Sequence, residues 1–399
     1  MFLIYLKMKK HNKSIKSNLQ SKPSRLTVIV KTTHDCNLGC VYCYTNPNAE
    51  KGIMDSNDLF NMINKISENN REAGSSHLIW HGGEPLLPGI DFYKEIINIQ
   101  ENVKKIIKGH KYRNSIQTNG TLLNSEFLDF FQEQKFKIGL SLDGNEYTHN
   151  LNRHYKDGST SFDDVFSAIT ELKKRKMGRG VICVLNKNTA SNLKDIYRFF
   201  KENEIYPQMN VQIPSGRALD NKELGLTPRE FGESMIKLFD MWFYDNSKPI
   251  IEIDPFADII KNLSNYRNKN KDDEYPTGCS FRNNCANSFI SVTPGGNVYP
   301  CGRFAGDSKF YMGNINKGSI EEILSSDVHQ KFLKRHDEGI KSCKPCEYKP
   351  ICNSGCPDNA FLFNGDILTK DGYCEGYKML FKYIENAVKK QMGGNIKNG

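Results

Sequence analysis

Three cysteines with the spacing Cx3Cx2C are the residues of this chain best placed to do chemistry. Cys36, Cys40 and Cys43 follow an apolar run, Leu26 to Val30, and so lie on one short loop. Three thiolates on one loop can hold three irons of a [4Fe–4S] cube, which leaves the fourth iron without a protein ligand. An open metal position is where substrates bind and react, whereas a closed one usually holds structure or carries electrons. The loop therefore predicts an iron–sulfur cluster with one exposed iron.

Zinc and disulfide bonds are the alternative explanations for these cysteines. A zinc knuckle normally takes four ligands from CxxC pairs, whereas this loop offers three. Disulfides need an oxidising compartment. Residues 1–6 are apolar, but the segment is short, lysines follow it and no small-residue cleavage site is present, which makes a poor signal peptide. We therefore expect a cytoplasmic protein whose twelve cysteines are reduced and mostly bind metal.

Composition and charge argue against several classes of protein. With 399 residues, 38% of them hydrophobic and 25% charged, the chain has room for two or three domains. No apolar run reaches the roughly 18 residues that span a bilayer, so we expect no membrane segment. Residues 1–24 contain six lysines and no acid, which predicts a basic disordered tail or a weak handle for an acidic partner. Because no basic stripe is interleaved with aromatic residues, we expect no nucleic-acid partner.

Short apolar runs alternate with amphipathic stretches between residues 25 and 215. The runs are rich in Val, Ile and Leu, as parallel strands buried on both faces should be, and the stretches between them predict helices. This alternation indicates an α/β fold with a parallel sheet wound in one hand, of the kind that closes into a partial barrel. In such barrels the chemistry lies at the C-terminal ends of the strands. The predicted strands are 25–31, 77–80, 115–118, 137–142, 180–185 and 208–213.

Polar motifs follow the predicted strands at that end. After the second strand, residues 81–85 read HGGEP, and two glycines let the backbone approach a ligand and offer carbonyls to an ammonium group. After the third and fourth strands come QTNG at 117–120 and SLDG at 141–144, whose short polar side chains suit ribose hydroxyls. Arg153 in a following loop could pair with a carboxylate. Each motif alone could be a loop cap, but on successive strand ends they indicate one pocket.

The cysteine triplet with Tyr42 inside it, followed by GGEP after the second strand, resembles the radical S-adenosylmethionine (SAM) enzymes. The resemblance covers about residues 25–215 and implies a partial (β/α)6 TIM-like barrel. It implies that the open iron chelates the amino and carboxylate groups of SAM. One electron, from a donor such as flavodoxin or ferredoxin, would then cleave SAM to methionine and a 5′-deoxyadenosyl radical that abstracts a substrate hydrogen.

The resemblance also assigns roles to pocket residues by their position in the motifs. Tyr42 and Gln212 would lie beside adenine, Gly82 and Gly83 at the methionyl ammonium, Ser141 at the ribose with Asn119 among the short polar groups there, and Arg153 at the carboxylate, while Glu84 and Asp143 would orient the pocket.

Eight further cysteines lie between residues 279 and 374, and their arrangement resembles the SPASM extension of radical SAM enzymes. The resemblance implies two auxiliary [4Fe–4S] clusters, three clusters in all. The implied ligand sets interleave: Cys279, Cys285, Cys301 and Cys356 for the first cluster, and Cys343, Cys346, Cys352 and Cys374 for the second. Eight ligands leave neither cube open, which suits electron transfer. A zinc ribbon at 343–356 is the alternative. Cys183, inside the apolar stretch VICVL, is expected to be an ordinary buried residue.

These patterns divide the chain into five expected segments. They are a basic tail at 1–24, a radical SAM core at 25–235, a polar connector at 236–278, a SPASM domain at 279–385 and a tail at 386–399. The last third has few apolar residues for its length, so we expect metal clusters to supply much of its folding energy.

Across residues 25–380 the pattern resembles anaerobic sulfatase-maturating enzymes and related peptide maturases, which abstract hydrogen from side-chain carbons of polypeptides. In the sulfatase-maturating family an aspartate, the proposed base, follows the third cysteine of the first auxiliary cluster. Here that position is Gly302. Glycine cannot take a proton, which disfavours formylglycine formation unless another acid, such as Asp307 or Asp358, substitutes for it.

The stretch HGGEPLL, followed by GIDFY at 89–93, resembles that of cyclophane-forming maturases of ribosomally made peptides (RiPPs). We therefore predict oxidative C–C crosslinking of an aromatic side chain to an unactivated side-chain carbon in a precursor peptide. A thioether crosslink would use the same machinery, formylglycine formation is the alternative, and a non-catalytic electron carrier would explain the cysteines but not the pocket. Residues 1–24 are too few for a peptide-recognition domain, so the core, the C-terminal domain or a separate protein should bind the leader.

Overall fold

The computed structural model describes residues 25–394, apart from residues 48, 50, 268–275, 283 and 284. The predicted basic tail at 1–24 lies outside the described residues. Within the described part, none of the helices combines the length and the apolar character needed to cross a membrane.

Six parallel strands form a partial barrel, and each strand pairs with the next one along the chain. One or more helices follow every strand, so the predicted α/β partial barrel is confirmed. The parallel order brings all six C-terminal strand ends to one rim, where the polar motifs begin. Strands β1 to β6 are Thr27–Lys31, Ser75–His81, Lys111–Thr118, Lys137–Ser141, Gly180–Leu185 and Tyr206–Val211.

Side-chain alternation along the strands separates the helix layer from the barrel lumen. On β2, Leu78 and Trp80 are buried, and the Trp80 ring meets Phe92 and Tyr93 at right angles with centroids 6.3 Å apart. These two aromatic residues belong to the helix that follows β2. The residue next to Trp80, His81, therefore points the other way, into the lumen.

Helices fill the connections and cover the outer face of the sheet. Two short helices between β4 and β6, α4 and α6, are absent from the sequence prediction because seven and five residues give too little periodicity to detect. The helices α1 to α15 are Ser56–Asn69, Ile90–Ile106, Ser125–Glu133, Glu146–Asn152, Phe162–Lys174, Lys187–Ser191, Leu193–Glu202, Pro228–Phe243, Phe256–Arg267, Cys285–Ser288, Ile320–Leu324, Asp327–Glu338, Lys349–Cys352, Pro357–Asn364 and Cys374–Gly394.

The cysteine-rich region extends the barrel sheet instead of forming a separate layer. Strand β7 (Phe289–Val292) pairs in parallel with β1, and Val28 lies opposite Ile290. Strands β8 (Asn297–Tyr299) and β9 (Gly313–Asn314) then add antiparallel pairs at the same edge. Sequence patterns do not specify this pairing, because more than 250 residues separate β1 from β7.

The apolar core of the last third is stronger than its composition indicates. Helix α15 packs along α8, and Tyr377, Phe381 and Ile384 belong to the same buried cluster as the barrel core. A second buried cluster surrounds Phe304 and Phe310. The polar connector at 236–278 includes helix α9, and α15 continues through 386–394, which the sequence analysis assigned to a tail. Both helices bury apolar faces against the core that only the folded chain reveals.

Candidate active site and iron–sulfur sites

The loop that carries Cys36, Cys40 and Cys43 leaves the C-terminal end of β1 and is anchored by backbone hydrogen bonds. Gly39 N–H donates to the His154 carbonyl at 2.7 Å, and Val41 N–H donates to the Asn152 carbonyl at 3.0 Å. These bonds tie both sides of Cys40 to the end of α4. The three predicted cluster ligands are thus held on a fixed loop at the rim of the barrel.

The thiols of this loop are partly exposed and lie close enough to affect each other's ionisation. Burial raises the pKa of Cys36 to about 11 and that of Cys40 to about 12, and the neighbouring thiols of the triplet add to both shifts. Metal binding offsets this cost, because a coordinated thiolate is stabilised by the charge of the ion. Leu38 N–H and the Asn119 side-chain amide donate to Cys36 Sγ at 3.4 and 3.7 Å. The triplet fits a cluster with one open iron.

Gly82 and Gly83 are pressed against the cysteine loop. A Cβ atom on Gly82 would lie 2.3 Å from the Thr33 carbonyl oxygen, and one on Gly83 would lie 2.2 Å from the Asp35 carbonyl oxygen. Gly83 N–H donates to the Thr33 carbonyl at 2.9 Å. The two glycines therefore allow a close backbone contact, whether or not they also meet the methionyl ammonium as the sequence predicts.

Glu84 and Asn119 connect the ends of β2 and β3 to the cysteine loop. The fully buried Glu84 carboxylate accepts hydrogen bonds from the Thr118 hydroxyl at 2.6 Å, Asn119 N–H at 2.8 Å and Leu86 N–H at 3.0 Å. The Asn119 amide donates to Asn37 at 2.9 Å as well as to Cys36. Glu84 thus holds the strand ends, and Asn119 faces the cluster side of the pocket.

Tyr42, Asp143 and Arg153 form a buried polar cluster beneath the cysteine loop. The Tyr42 hydroxyl donates to the Asp143 carboxylate, which also accepts from Val184 N–H at 2.9 Å. Arg153 Nε lies 3.1 Å from Asp143 Oδ2, and the guanidinium lies 5.2 Å from the centre of the Tyr42 ring. The Tyr42 side chain therefore holds the cysteine loop to the end of β4, so contact with adenine would fall to its backbone.

The eight later cysteines separate into the two predicted groups. Cys343, Cys346, Cys352 and Cys374 line one cavity of about 80 Å³, together with Asp371 and Tyr377. In the other group, Cys279 raises the pKa values of Cys285, Cys301 and Cys356, in addition to the larger effect of burial. Among the described residues no three Cys, His, Asp or Glu side chains are grouped to bind a single metal ion. Each cysteine of a cube binds a different iron, so cube ligands stand farther apart.

Comparison with known proteins places the chain in a family. The radical SAM superfamily model matches residues 30–200, and the iron–sulfur cluster-binding domain model, SPASM, matches residues 279–347. The cysteine-type anaerobic sulfatase-maturating enzyme of Clostridium perfringens (strain 13 / Type A) is 30% identical over 369 residues, which cover 90% of this chain and 96% of that enzyme. The chain is a radical SAM enzyme with a SPASM domain, of the family that includes the anaerobic sulfatase-maturating enzymes.

Solved structures agree with this assignment. The structure of native anSMEcpe with bound AdoMet and Kp18Cys peptide matches with a TM-score of 0.78 at 27% identity, over 92% of this chain and 99% of that one. Streptococcus suis SuiB bound to S-adenosylmethionine matches with a TM-score of 0.61 at 13% identity, over 94% of this chain and 88% of SuiB, which supports the fold alone. The predicted cofactors are confirmed: this radical SAM enzyme uses a [4Fe–4S] cluster and SAM, and its SPASM domain holds auxiliary clusters.

The pocket of this radical SAM enzyme offers polar groups that suit SAM. Gln212, at the end of β6, is 4% exposed, and its side-chain oxygen has no hydrogen-bond partner among the described residues. A buried acceptor without a partner is costly, and an amino group such as that of adenine would satisfy it. Ser141, at the end of β4, accepts from Gln117 at 3.2 Å and keeps its own hydroxyl proton to donate. Both placements agree with the predicted adenine and ribose contacts.

The lumen contains functional candidates that the sequence analysis missed. Lys31 ends β1, is 1% exposed and donates from Nζ to the Tyr44 hydroxyl at 3.1 Å. The missing side chain of Gly302 faces this strand, with Ile29 Cγ2 at 3.0 Å and Lys31 Cε at 3.6 Å from the position of a Cβ atom. The available signal was a lysine that ends an otherwise apolar strand. Cys183 is fully buried in β5, as predicted.

Proposed function

We propose that this radical SAM enzyme crosslinks a ribosomally made precursor peptide by joining an aromatic ring to an unactivated side-chain carbon. The bound cluster and SAM supply a 5′-deoxyadenosyl radical that removes one hydrogen atom from the substrate. The observation that carries the proposal is Gly302, which faces the lumen beside Ile29 and Lys31 and offers no proton acceptor there.

The absent carboxylate separates the two candidate reactions. Formylglycine formation must remove a proton from a substrate thiol or hydroxyl as the second electron leaves, and a free thiol has a pKa of about 8.5, so a base helps. In crosslinking, the last proton leaves a ring carbon that oxidation has made strongly acidic, and water can accept it. A site without an acid at position 302 therefore suits crosslinking better.

The acids that could substitute for an aspartate at 302 are engaged elsewhere. The Asp307 carboxylate accepts from Lys309 N–H at 3.0 Å, where it caps a short turn. Asp358 pairs with Arg303 Nη1 at 3.3 Å. These contacts support the view that neither carboxylate serves the lumen.

His81 and Lys31 are the lumen groups that would position a peptide. Burial, helped by the charge of Lys31, lowers the pKa of His81 to about 3, so its ring is neutral near pH 7. Gly82 N–H lies 2.8 Å from His81 Nδ1, which makes Nδ1 the acceptor and leaves the ring proton on Nε2. His81 can then donate that proton to a peptide carbonyl, whereas a neutral imidazole with so low a pKa is a poor base.

Formylglycine formation is the second candidate, and the comparisons favour it. The match to the cysteine-type sulfatase-maturating enzyme spans nearly the whole chain, as does the match to anSMEcpe with its peptide. If this chain performs that reaction, the Lys31 amine is the basic group nearest to position 302.

A single substitution distinguishes the two candidates. The reconstituted, reduced holoenzyme is incubated with SAM and the Kp18Cys peptide, and products are weighed by mass spectrometry. We expect the wild type to leave the cysteine unconverted, and Gly302→Asp to exchange the thiol sulfur for oxygen with loss of two hydrogens. Gly302→Asn has the same size without a base and is the control. Conversion by the wild type at a rate that Gly302→Asp does not raise would refute our preference and establish formylglycine formation.

Crosslinking itself is tested on peptides encoded beside the gene. The expected product lacks two hydrogens per event, and tandem mass spectra show no fragmentation between the joined residues. If every neighbouring peptide returns unmodified while SAM is cleaved, the crosslinking proposal fails for those substrates.

A further inference from the structure

Arg303 contacts two of the four cysteines proposed to bind the first auxiliary cluster. Its backbone N–H donates to Cys301 Sγ at 3.4 Å. Its guanidinium Nη1 lies 4.0 Å from Cys356 Sγ, within hydrogen-bond reach of sulfur. One residue thus contributes two donors and a full positive charge to thiols that lie more than 50 residues apart in the chain.

Neighbouring polar groups hold the Arg303 side chain in this position. Nη1 donates to Asn359 Oδ1 at 2.9 Å and lies 3.3 Å from Asp358 Oδ2. The Asp358 side chain is 5% exposed, and that of Arg303 is 28% exposed. A cation fixed in a largely buried site acts on a nearby cluster with little screening by solvent.

The second auxiliary set has no comparable donor. Within the described residues, no hydrogen bond reaches the sulfur of Cys343, Cys346, Cys352 or Cys374 at the distances used for Arg303. The cations that line its cavity include Lys370 and Lys378, which are exposed to solvent. Water screens exposed charges, so they influence a cluster less than Arg303 does.

Gly302 places this arrangement next to the substrate. Its missing side chain faces the lumen at Ile29 and Lys31, while Arg303 turns toward Cys356. Residues 301–303 therefore reach from a predicted cluster ligand to the wall of the lumen, where an electron must leave the substrate.

We propose that Arg303 raises the reduction potential of the first auxiliary cluster and so makes that cluster the immediate acceptor of the electron that leaves the substrate. Reduction adds negative charge to a cluster, and a nearby cation and donors to its sulfurs stabilise the reduced form. In balance, the substrate loses one electron and one proton after the hydrogen atom is abstracted, and the cluster gains the electron. The proposal rests on the ligand set inferred above, and Arg303 acts on the cluster as a positioning residue.

The test is a redox titration of the anaerobically reconstituted full chain, followed by electron paramagnetic resonance. Arg303→Met should make reduction of one auxiliary cluster at least tenfold less favourable, a fall of about 59 mV for a one-electron couple, with the other two clusters unchanged. Arg303→Lys should shift it less. Asp358→Asn should shift the same cluster upward, because it removes a negative charge. Lys331→Met, in an exposed ion pair of the same domain, should shift none of them.

Opposite shifts from Arg303 and Asp358 cannot arise from a merely structural role. If Arg303→Met retains its iron and leaves all three potentials unchanged, the proposal is wrong. Should Arg303→Met lose its clusters, Asp358→Asn still decides, since an unchanged or lowered potential in that variant contradicts the electrostatic reasoning. Cys356→Ser examines the ligand set separately: it must alter the signal of the cluster that Arg303→Met shifts, and an effect on a different cluster overturns the assignment without touching the crosslinking proposal.

Discussion

Gly83→Ala should destabilise this enzyme even when no cluster or SAM is bound. The new methyl group would lie 2.2 Å from the Asp35 carbonyl oxygen and 2.6 Å from that of His34. Both atoms belong to the backbone, so no change of side-chain rotamer can relieve the overlap. The exit of β2 and the cysteine loop must move apart, and the hydrogen bond from Gly83 N–H to Thr33 is strained or lost.

The size of the effect follows from these distances. Ordinary van der Waals contact begins near 3.4 Å, so the two backbone segments must separate by about 1 Å. Overpacking costs roughly 1–3 kcal/mol, and the two backbone hydrogen bonds across this contact add about 1 kcal/mol each. A loss of roughly 3–5 kcal/mol lowers the melting temperature by about 6–20 °C. Because Asp35 immediately precedes Cys36, a displacement of that size should also slow SAM cleavage about 100-fold.

Thermal melting of the apoprotein, iron content and 5′-deoxyadenosine formation are measured for Gly83→Ala beside Gly180→Ala. Gly180 also lies in the barrel, on β5, but a Cβ atom there meets nothing within 4 Å. The control should melt close to the wild type and retain activity. If apo Gly83→Ala melts with the wild type and only SAM cleavage is lost, the glycine serves the ligand and not the backbone contact, and our steric reasoning is refuted.

Two further substitutions test the buried polar groups below the pocket. Asp143→Asn leaves the buried charge of Arg153 without its partner, so the free energy of unfolding of the apoprotein in urea should fall by about 3 kcal/mol or more, whereas the exposed Asp91→Asn should change it by less than about 1 kcal/mol. His149→Gln should flatten the pH dependence of stability: burial and Arg153 lower the pKa of folded His149 to about 3, so below the unfolded value of 6.5 only the unfolded chain gains this proton. The wild type should therefore lose about 1.4 kcal/mol per pH unit, from this histidine alone, as the pH falls below 6.5. An equal slope in both proteins would count against that assignment.

The sequence was most informative where local patterns determine structure. The six barrel strands are apolar segments of ordinary length, and the cysteine triplet lies at the end of the first of them. The partition of the later cysteines came from resemblance, and the cavity shared by Cys343, Cys346, Cys352 and Cys374 supports it. The pairing of β7 with β1 could not be predicted, because strand order depends on contacts between distant segments and any edge strand would match the pattern equally well.

The pocket shows why residue types predict a site better than they predict individual roles. Tyr42 and Arg153 were assigned to SAM, yet their side chains meet each other and Asp143. A reactive cluster needs a rigid loop, and the residues nearest the loop supply that rigidity before they can contact a ligand. Gln212 differs, since its buried side-chain oxygen has no partner among the described residues. An unsatisfied acceptor at a strand end is a stronger sign of ligand contact than a motif position, because only a ligand or water can offset its cost in the folded enzyme.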